Sequence, residues 1–130
     1  MKYTITIPGK PIPLARPRFS NDRVYNSQRI AISKMGILMR NQFNGEPLTN
    51  PVEMHLFFYF KIPACHHKHK DEMIGTPLAH KPDLSNLVKF VEDAANGVLY
   101  KDDSCIVHLE AWKLYGEDEM TEITLFEWQK

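Results

Sequence analysis

The sequence predicts an α+β fold: one domain over residues 1–130, elements in the order βαβαββ, and a single mixed sheet with helices packed on it. Three observations lead there. Tyr3–Ile7 and Val52–Ile62 place apolar side chains at alternate positions, as half-buried strands do. Asp83–Asn96 repeats its apolar residues with a helical period. Ile106–Leu114 and Thr121–Trp128 read as two closing strands, joined by the acidic turn Gly116-Glu117-Asp118-Glu119.

Taken in order, the first strand ends at Pro8-Gly9. Residues 10–26 then read as a long loop, rich in Pro11, Pro13, Pro17 and the Asn21-Asp22 pair; loops of this length are often functional. Ser27 is a candidate N-cap for a helix running to Phe43, with Ile30, Met35, Ile37 and Leu38 as its apolar positions. Asn44-Gly45 stops it. In Val52–Ile62, Met54, Leu56, Phe58 and Phe60 share one face, which predicts a central strand. Residues 63–80 form a second long loop. In the helix at 83–96, Leu84, Leu87, Val88, Val91, Ala94 and Ala95 fall within about 120° of arc at 100° per residue. Asp83, Asn86, Lys89 and Asp93 lie opposite, and Gly97 closes the helix.

Composition bounds the function. At 43% hydrophobic over 130 residues the chain can fill one core, and 25% charged residues with 14 aromatics argue against disorder. No apolar run approaches the length of a membrane span, and MKYTITIPGK reads as a strand rather than a signal peptide. The expectation is a soluble, cytoplasmic protein. Cys65 and Cys105 form no CxxC pair, so reduced thiols are expected, with a disulfide the less favoured alternative. The net charge of zero hides an asymmetry: residues 1–70 hold eleven Lys/Arg against three acids, and residues 71–130 five against thirteen. A basic half suits a polyanion and an acidic half suits a cation, unless folding mixes the two.

The chemistry concentrates in His80-Lys81-Pro82-Asp83-Leu84-Ser85-Asn86-Leu87-Val88-Lys89 and in Asp102-Asp103. Asp83 starts a helix and Asp103 precedes a strand. If those elements pack antiparallel, both carboxylates are expected to approach one point and hold a divalent cation, which activates water against a phosphodiester. Lys89 stands about one and a half turns after Asp83, placed to offset transition-state charge. The plainer alternatives are an N-cap at Asp83, a Lys89–Asp93 surface pair and a turn at Asp102-Asp103.

These residues resemble the signature of the RusA-like Holliday junction resolvases. The matches are Lys81-Pro82-Asp83, Asn86-Leu87, Lys89, Asp93-Ala94, Gly97 and Asp102-Asp103, with Gly9-Lys10-Pro11 and Arg16-Pro17-Arg18 near the N-terminus. The resemblance spans nearly the whole chain, element order included. It implies a Mg²⁺-dependent (or Mn²⁺-dependent) endodeoxyribonuclease of recombination and repair, acting as a homodimer on four-way junctions and common in prophages. It implies catalytic roles for Asp83, Lys89 and Asp103. One departure stands out: the family carries a further metal-binding Asp where this chain has Ser85. Asp93 or Asp102 can supply the missing carboxylate, or the ion can rest on two carboxylates and water. The alternative is a junction-binding protein that cuts weakly or not at all.

Arg16, Arg18, Arg23, Lys68, Lys70 and Lys81 fall in the two long loops, where Arg16, Arg18, His80 and Lys81 are the candidate DNA contacts. A zinc-binding loop at Cys65, His66, His67, His69 and His80 is disfavoured, because the spacing fits no common zinc motif. His55 and His108 read as structural strand residues. Trp112 and Trp128 read as core or dimer-interface residues.

Overall fold

The computed structural model describes residues 1–15, 18–20, 23–25 and 28–129. Its elements are β1 (Lys2–Pro8), β2 (Arg18–Ser20), β3 (Arg23–Tyr25), α1 (Arg29–Gln42), β4 (Val52–Lys61), α2 (Lys70–Met73), α3 (Leu84–Ala95), β5 (Ile106–Gly116) and β6 (Met120–Glu127). The long elements keep the predicted βαβαββ order. The first long loop carries the small antiparallel hairpin β2–β3. The second carries a 3₁₀ segment, Ala64–His69, and the single turn α2. Arg16, Pro17, Asn21, Asp22 and the expected cap Ser27 lie outside the described residues.

The main sheet has the order β1-β6-β4-β5. β6 runs antiparallel to both β1 and β4, while β4 and β5 are parallel. A parallel pair needs a long crossover, and α3 lies within it. β4, like β6, has long partners on both sides, as its apolar alternation predicts. Val52, Met54, Leu56, Phe58 and Phe60 are all buried on the helix side. α3 lays Leu87, Val88, Phe90, Val91, Ala94 and Ala95 into the same core. Burying each large apolar side chain contributes about 1.5–3 kcal/mol, so this single layer carries most of the driving force. Gly36 of α1 faces Ala94 O of α3, where an added Cβ would stand 3.3 Å away, so a side chain there would push the helices apart.

Two sequence expectations need correction. In α1 the buried residues are Met35 and Met39, with Ala31, Ile32 and Leu38 beside them. Ile30 and Ile37 are 85% and 61% exposed. They stand seven residues apart, two turns along the same outward face, so they cannot share the core with Met35 and Met39. Trp112 and Trp128 are likewise outside the core, at 50% and 57% exposure. Among the described residues no helix is long and apolar enough to cross a membrane. Cys65 and Cys105 are free thiols.

Leu56→Ala is expected to lower stability by about 2–5 kcal/mol in urea unfolding, and Ile37→Ala to change it by less than about 0.5 kcal/mol. Equal losses would contradict the face assigned to α1.

Candidate active site

α3 is fixed differently at its two ends, and the predicted site residues divide between them. At the N-terminal end Asp83 occupies the cap position in an extended conformation, but its side chain accepts no capping bond. It pairs instead with Lys81 Nζ at 3.0 Å, both side chains largely exposed. A pair so exposed contributes at most about 1 kcal/mol. The segment before it is tied to β5: Lys113 Nζ donates to His80 O at 2.7 Å and to Pro82 O at 2.8 Å. His80 Nδ1 lies 2.9 Å from Lys81 O. A carbonyl only accepts, so Nδ1 carries the proton and Nε2 is free to accept from Tyr115 Oη at 3.4 Å. Leu14 N donates to Asn86 O, and Gln28 holds both Pro13 O and Ala15 N, so the chain leading to Arg16 is anchored beside this end of α3. Arg16 lies outside the described residues, and only the backbone of Arg18, in β2, is described.

The C-terminal end is electrostatically opposed. Its last turn holds Glu92 and Asp93 and no basic residue. A helix C-terminus already carries partial negative charge from its unpaired carbonyls, so acids there are destabilising. Gly97, at φ 78°, turns the chain back on itself, with its N–H donating to Tyr100 O at 2.8 Å. That reversal buries Tyr100 completely, its hydroxyl 3.4 Å from Glu92 O. It also sets Asp102 and Asp103 against the same helix end. Asp102 Oδ2 accepts from Ser104 N at 3.0 Å, capping the short 3₁₀ turn Asp103–Cys105. These bonds from Ser104 hold its carboxyl below the usual range. Asp103 is different. Its Oδ1 is buried and finds no hydrogen-bond partner among the described residues. Burial, then Asp102 and Asp93, push its pKa up, against the opposing effect of the Tyr100 hydroxyl. Glu92 is pushed up too, by burial, Asp103 and Asp93, with Lys89 acting the other way. Burial first, and then Asp103, also raise Tyr100.

Glu92 and Asp103 line a cleft of about 290 Å³ together with Ile106, Val107, His108 and Leu109. Water occupies about 30 Å³ in the liquid, so the cleft admits an ion with several of its waters. The residues fit a hard divalent cation: an orphaned carboxylate oxygen, like charges that a cation would relieve, and a helix terminus of matching sign. Lys89 is exposed on the helix face that runs from Ser85 through Lys89 to Glu92, at i, i+4 and i+7.

Asp83 and Asp103, expected to approach one point, keep different neighbours: Asp83 pairs with Lys81 at the start of α3, and Asp103 stands with Glu92, Asp93 and Tyr100 at its end. Asp83 lies nine residues before Glu92, about 14 Å along the helix axis. The reason is topological. When a helix precedes an antiparallel strand, the helix start meets the strand end, and the strand start meets the helix end. Asp83 therefore faces the Lys113 end of β5, and Asp103 faces the Ile106 end. Ser85 is exposed between them and brings no charge. Among the described residues, one set of three His, Cys, Asp or Glu ligand atoms lies within 4.8 Å of one another; it is His55, His108 and Glu110, not the aspartates.

Two contributors escaped the sequence reading. Glu92 is the carboxylate next to Asp93, overlooked because the motif names only the latter. Lys113 is a lysine at an inward strand position, paired with Phe58 in register, and that break in the apolar alternation was its signal.

Residues 8–126 match the family model described as Endodeoxyribonuclease RusA. A Bacillus subtilis (strain 168) protein, described as "Uncharacterized protein YqaN", is 33% identical over 133 residues, an alignment covering 94% of each chain.

The raised pKa of Asp103 fixes a sign. Between its ordinary and its raised value the folded chain binds more protons than the unfolded one, so without metal stability falls as pH rises through that window. In chelator at pH ~7, Asp103→Asn is expected to be more stable than wild type in thermal unfolding. The gain is on the order of 0.5 kcal/mol after solvent screening, and it closes below pH ~4. A variant less stable than wild type at neutral pH would contradict the crowding described.

Proposed function

The chain belongs to the RusA endodeoxyribonuclease family, and from that premise we propose that it is a Mg²⁺-dependent, structure-selective endonuclease that nicks Holliday junctions and related branched DNA on symmetric strands in recombination and repair. The observation that supports this most directly is the buried Oδ1 of Asp103, without a hydrogen-bond partner among the described residues, beside a helix C-terminus crowded by Glu92 and Asp93. In this reading Asp103 anchors the ion. Asp93 and Glu92 add carboxylates, and Asp102 contributes mainly by capping the turn that aims Asp103. Bound Mg²⁺, or Mn²⁺ in its place, supplies an activated water and stabilises the leaving oxygen.

The chain's own residues do the rest. Lys89, one turn from Glu92, offsets charge that develops on the phosphate. Asp83 keeps its family-implied role as a second carboxylate. From the far end of α3 it acts on the same DNA strand rather than on the same phosphate, so the strand must lie along the Ser85–Lys89–Glu92 face rather than across it. His80, Lys81, Arg16 and Arg18 are the proposed phosphate contacts, which position the duplex arms without reading sequence. Nicking two opposed strands needs two such sites, so the reading includes a homodimer.

The test is cleavage of a synthetic four-way junction together with Mn²⁺ binding in the absence of DNA. Wild type is expected to nick symmetrically with Mg²⁺. Asp103→Asn and Asp83→Asn are each expected to lose at least about 100-fold in cleavage, the scale of a lost transition-state contact. Only Asp103→Asn is expected to weaken Mn²⁺ binding without DNA. No cleavage of any branched substrate by wild type would overturn the reading. Equal loss of Mn²⁺ binding in both variants would overturn the division of roles.

The absence of charge at Ser85 favours a second reading, a junction binder with weakened cutting. Ser85→Asp separates the two: cleavage within a few-fold of wild type supports a full site, and a rise of tenfold or more supports the weakened one.

A further inference from the structure

The sheet face opposite the helices carries a second constellation. Period-two alternation sends Glu53, His55, Phe57 and Tyr59 of β4 away from the core, and the parallel register sets His55 beside Glu110 and Glu53 beside His108. His108 and Glu110 are two residues apart on one strand, so they share that face. Glu110 bridges the two imidazoles. Its Oε1 lies 3.1 Å from His108 Nε2, and its Oε2 lies 3.6 Å from His55 Nδ1. The two rings have centroids 5.9 Å apart.

We propose that His55, His108 and Glu110 form a site for a divalent d-block cation of the Zn²⁺ class, separate from the aspartate centre. The case is geometric and chemical. A tetrahedral ion with bonds of about 2.0–2.1 Å holds its ligand atoms about 3.3–3.4 Å apart. Glu110 approaches the two imidazoles through different oxygens, at 3.1 and 3.6 Å, and one ligand atom from each of the three residues lies within 4.8 Å of the others, a set that a contraction of about 1.5 Å or less brings to that spacing. Small rotations of the exposed His108 and Glu110 side chains toward the half-buried His55 would complete the contraction.

The donor set selects the metal. Two imidazoles and one carboxylate suit Zn²⁺, Co²⁺ or Ni²⁺, whereas Mg²⁺ prefers oxygen. Three protein ligands leave a fourth position for water. His55 is already oriented: its ring packs on Phe126 at a 5.0 Å centroid distance, and its Nε2 is buried with no hydrogen-bond partner among the described residues, so Nδ1 is the atom presented to the cluster. An ion here would tie the edge strand β5 to β4 two residues beyond the start of β5, where His108 also lines the Asp103 cleft.

The experiment is titration of the full chain with Co²⁺ in chelator-free buffer, followed by visible d–d absorption. One equivalent per chain is expected. The signal should be displaced by Zn²⁺ but not by excess Mg²⁺, lost in His108→Asn and in Glu110→Gln, and retained in Asp103→Asn. Both substitutions that remove it are at exposed positions, and unchanged far-ultraviolet circular dichroism confirms that they fold. Absence of the signal in wild type would overturn the proposal. So would retention in His108→Asn, or loss in a Cys65→Ser, His67→Asn, His69→Asn variant, which would assign the ion to the exposed loop.

Discussion

Negative charge gathered at the negative end of a helix dipole is the constraint around which this structure is organised. Glu92 and Asp93 close α3 without a single basic residue in its last turn, and the reversal at Gly97 adds Asp102 and Asp103 to the same place. A chain selected for stability alone would put lysine or arginine there. Part of the strain is relieved locally. Ser104 N stabilises Asp102, and Lys89 offsets Glu92. Asp103 has only the Tyr100 hydroxyl, its Oδ1 finds no hydrogen-bond partner among the described residues, and a cation is the simplest group that would relieve it.

The rest of the fold holds that helix still. Its apolar face packs on β4 and α1, with Gly36 allowing the close approach of α1. Lys113 grips the backbone just before its first turn, and buried Tyr100 sits under its last. The exposed Ser85–Lys89–Glu92 face is thus presented from a rigid element rather than from a loop, which is what a precise catalytic geometry requires. The first loop is tied to the N-terminal end of this helix by the backbone bond from Leu14 N to Asn86 O.

Much of this was legible in the residues, and for identifiable reasons. Strict alternation in Val52–Ile62 and the wide apolar stripe of 83–96 are local signals with one period each, and they gave the central strand and the main helix. The motif around Asp83 and Asp102-Asp103 led to the family. What sequence could not supply was the pairing of ends. A linear motif does not register the length of helix between its acids, which is about 14 Å along the axis from Asp83 to Glu92. Ile30 and Ile37 misled because apolar residues on a helix do not announce which side faces in. His55 and Glu110 are 55 residues apart, and only the parallel register of β4 and β5 makes them neighbours. A search for local metal motifs looks instead at the histidine-rich run from His66 to His69, where the side chains are exposed.

The central claim is that Asp103, at the end of α3, is where the divalent ion sits. Anomalous scattering from a crystal grown with Mn²⁺ tests it most directly. A peak within coordination distance of an Asp103 carboxylate oxygen, on the Glu92 side of the cleft, is the predicted result. A peak coordinated by Asp83 with no oxygen of Asp103 in its shell would contradict the account.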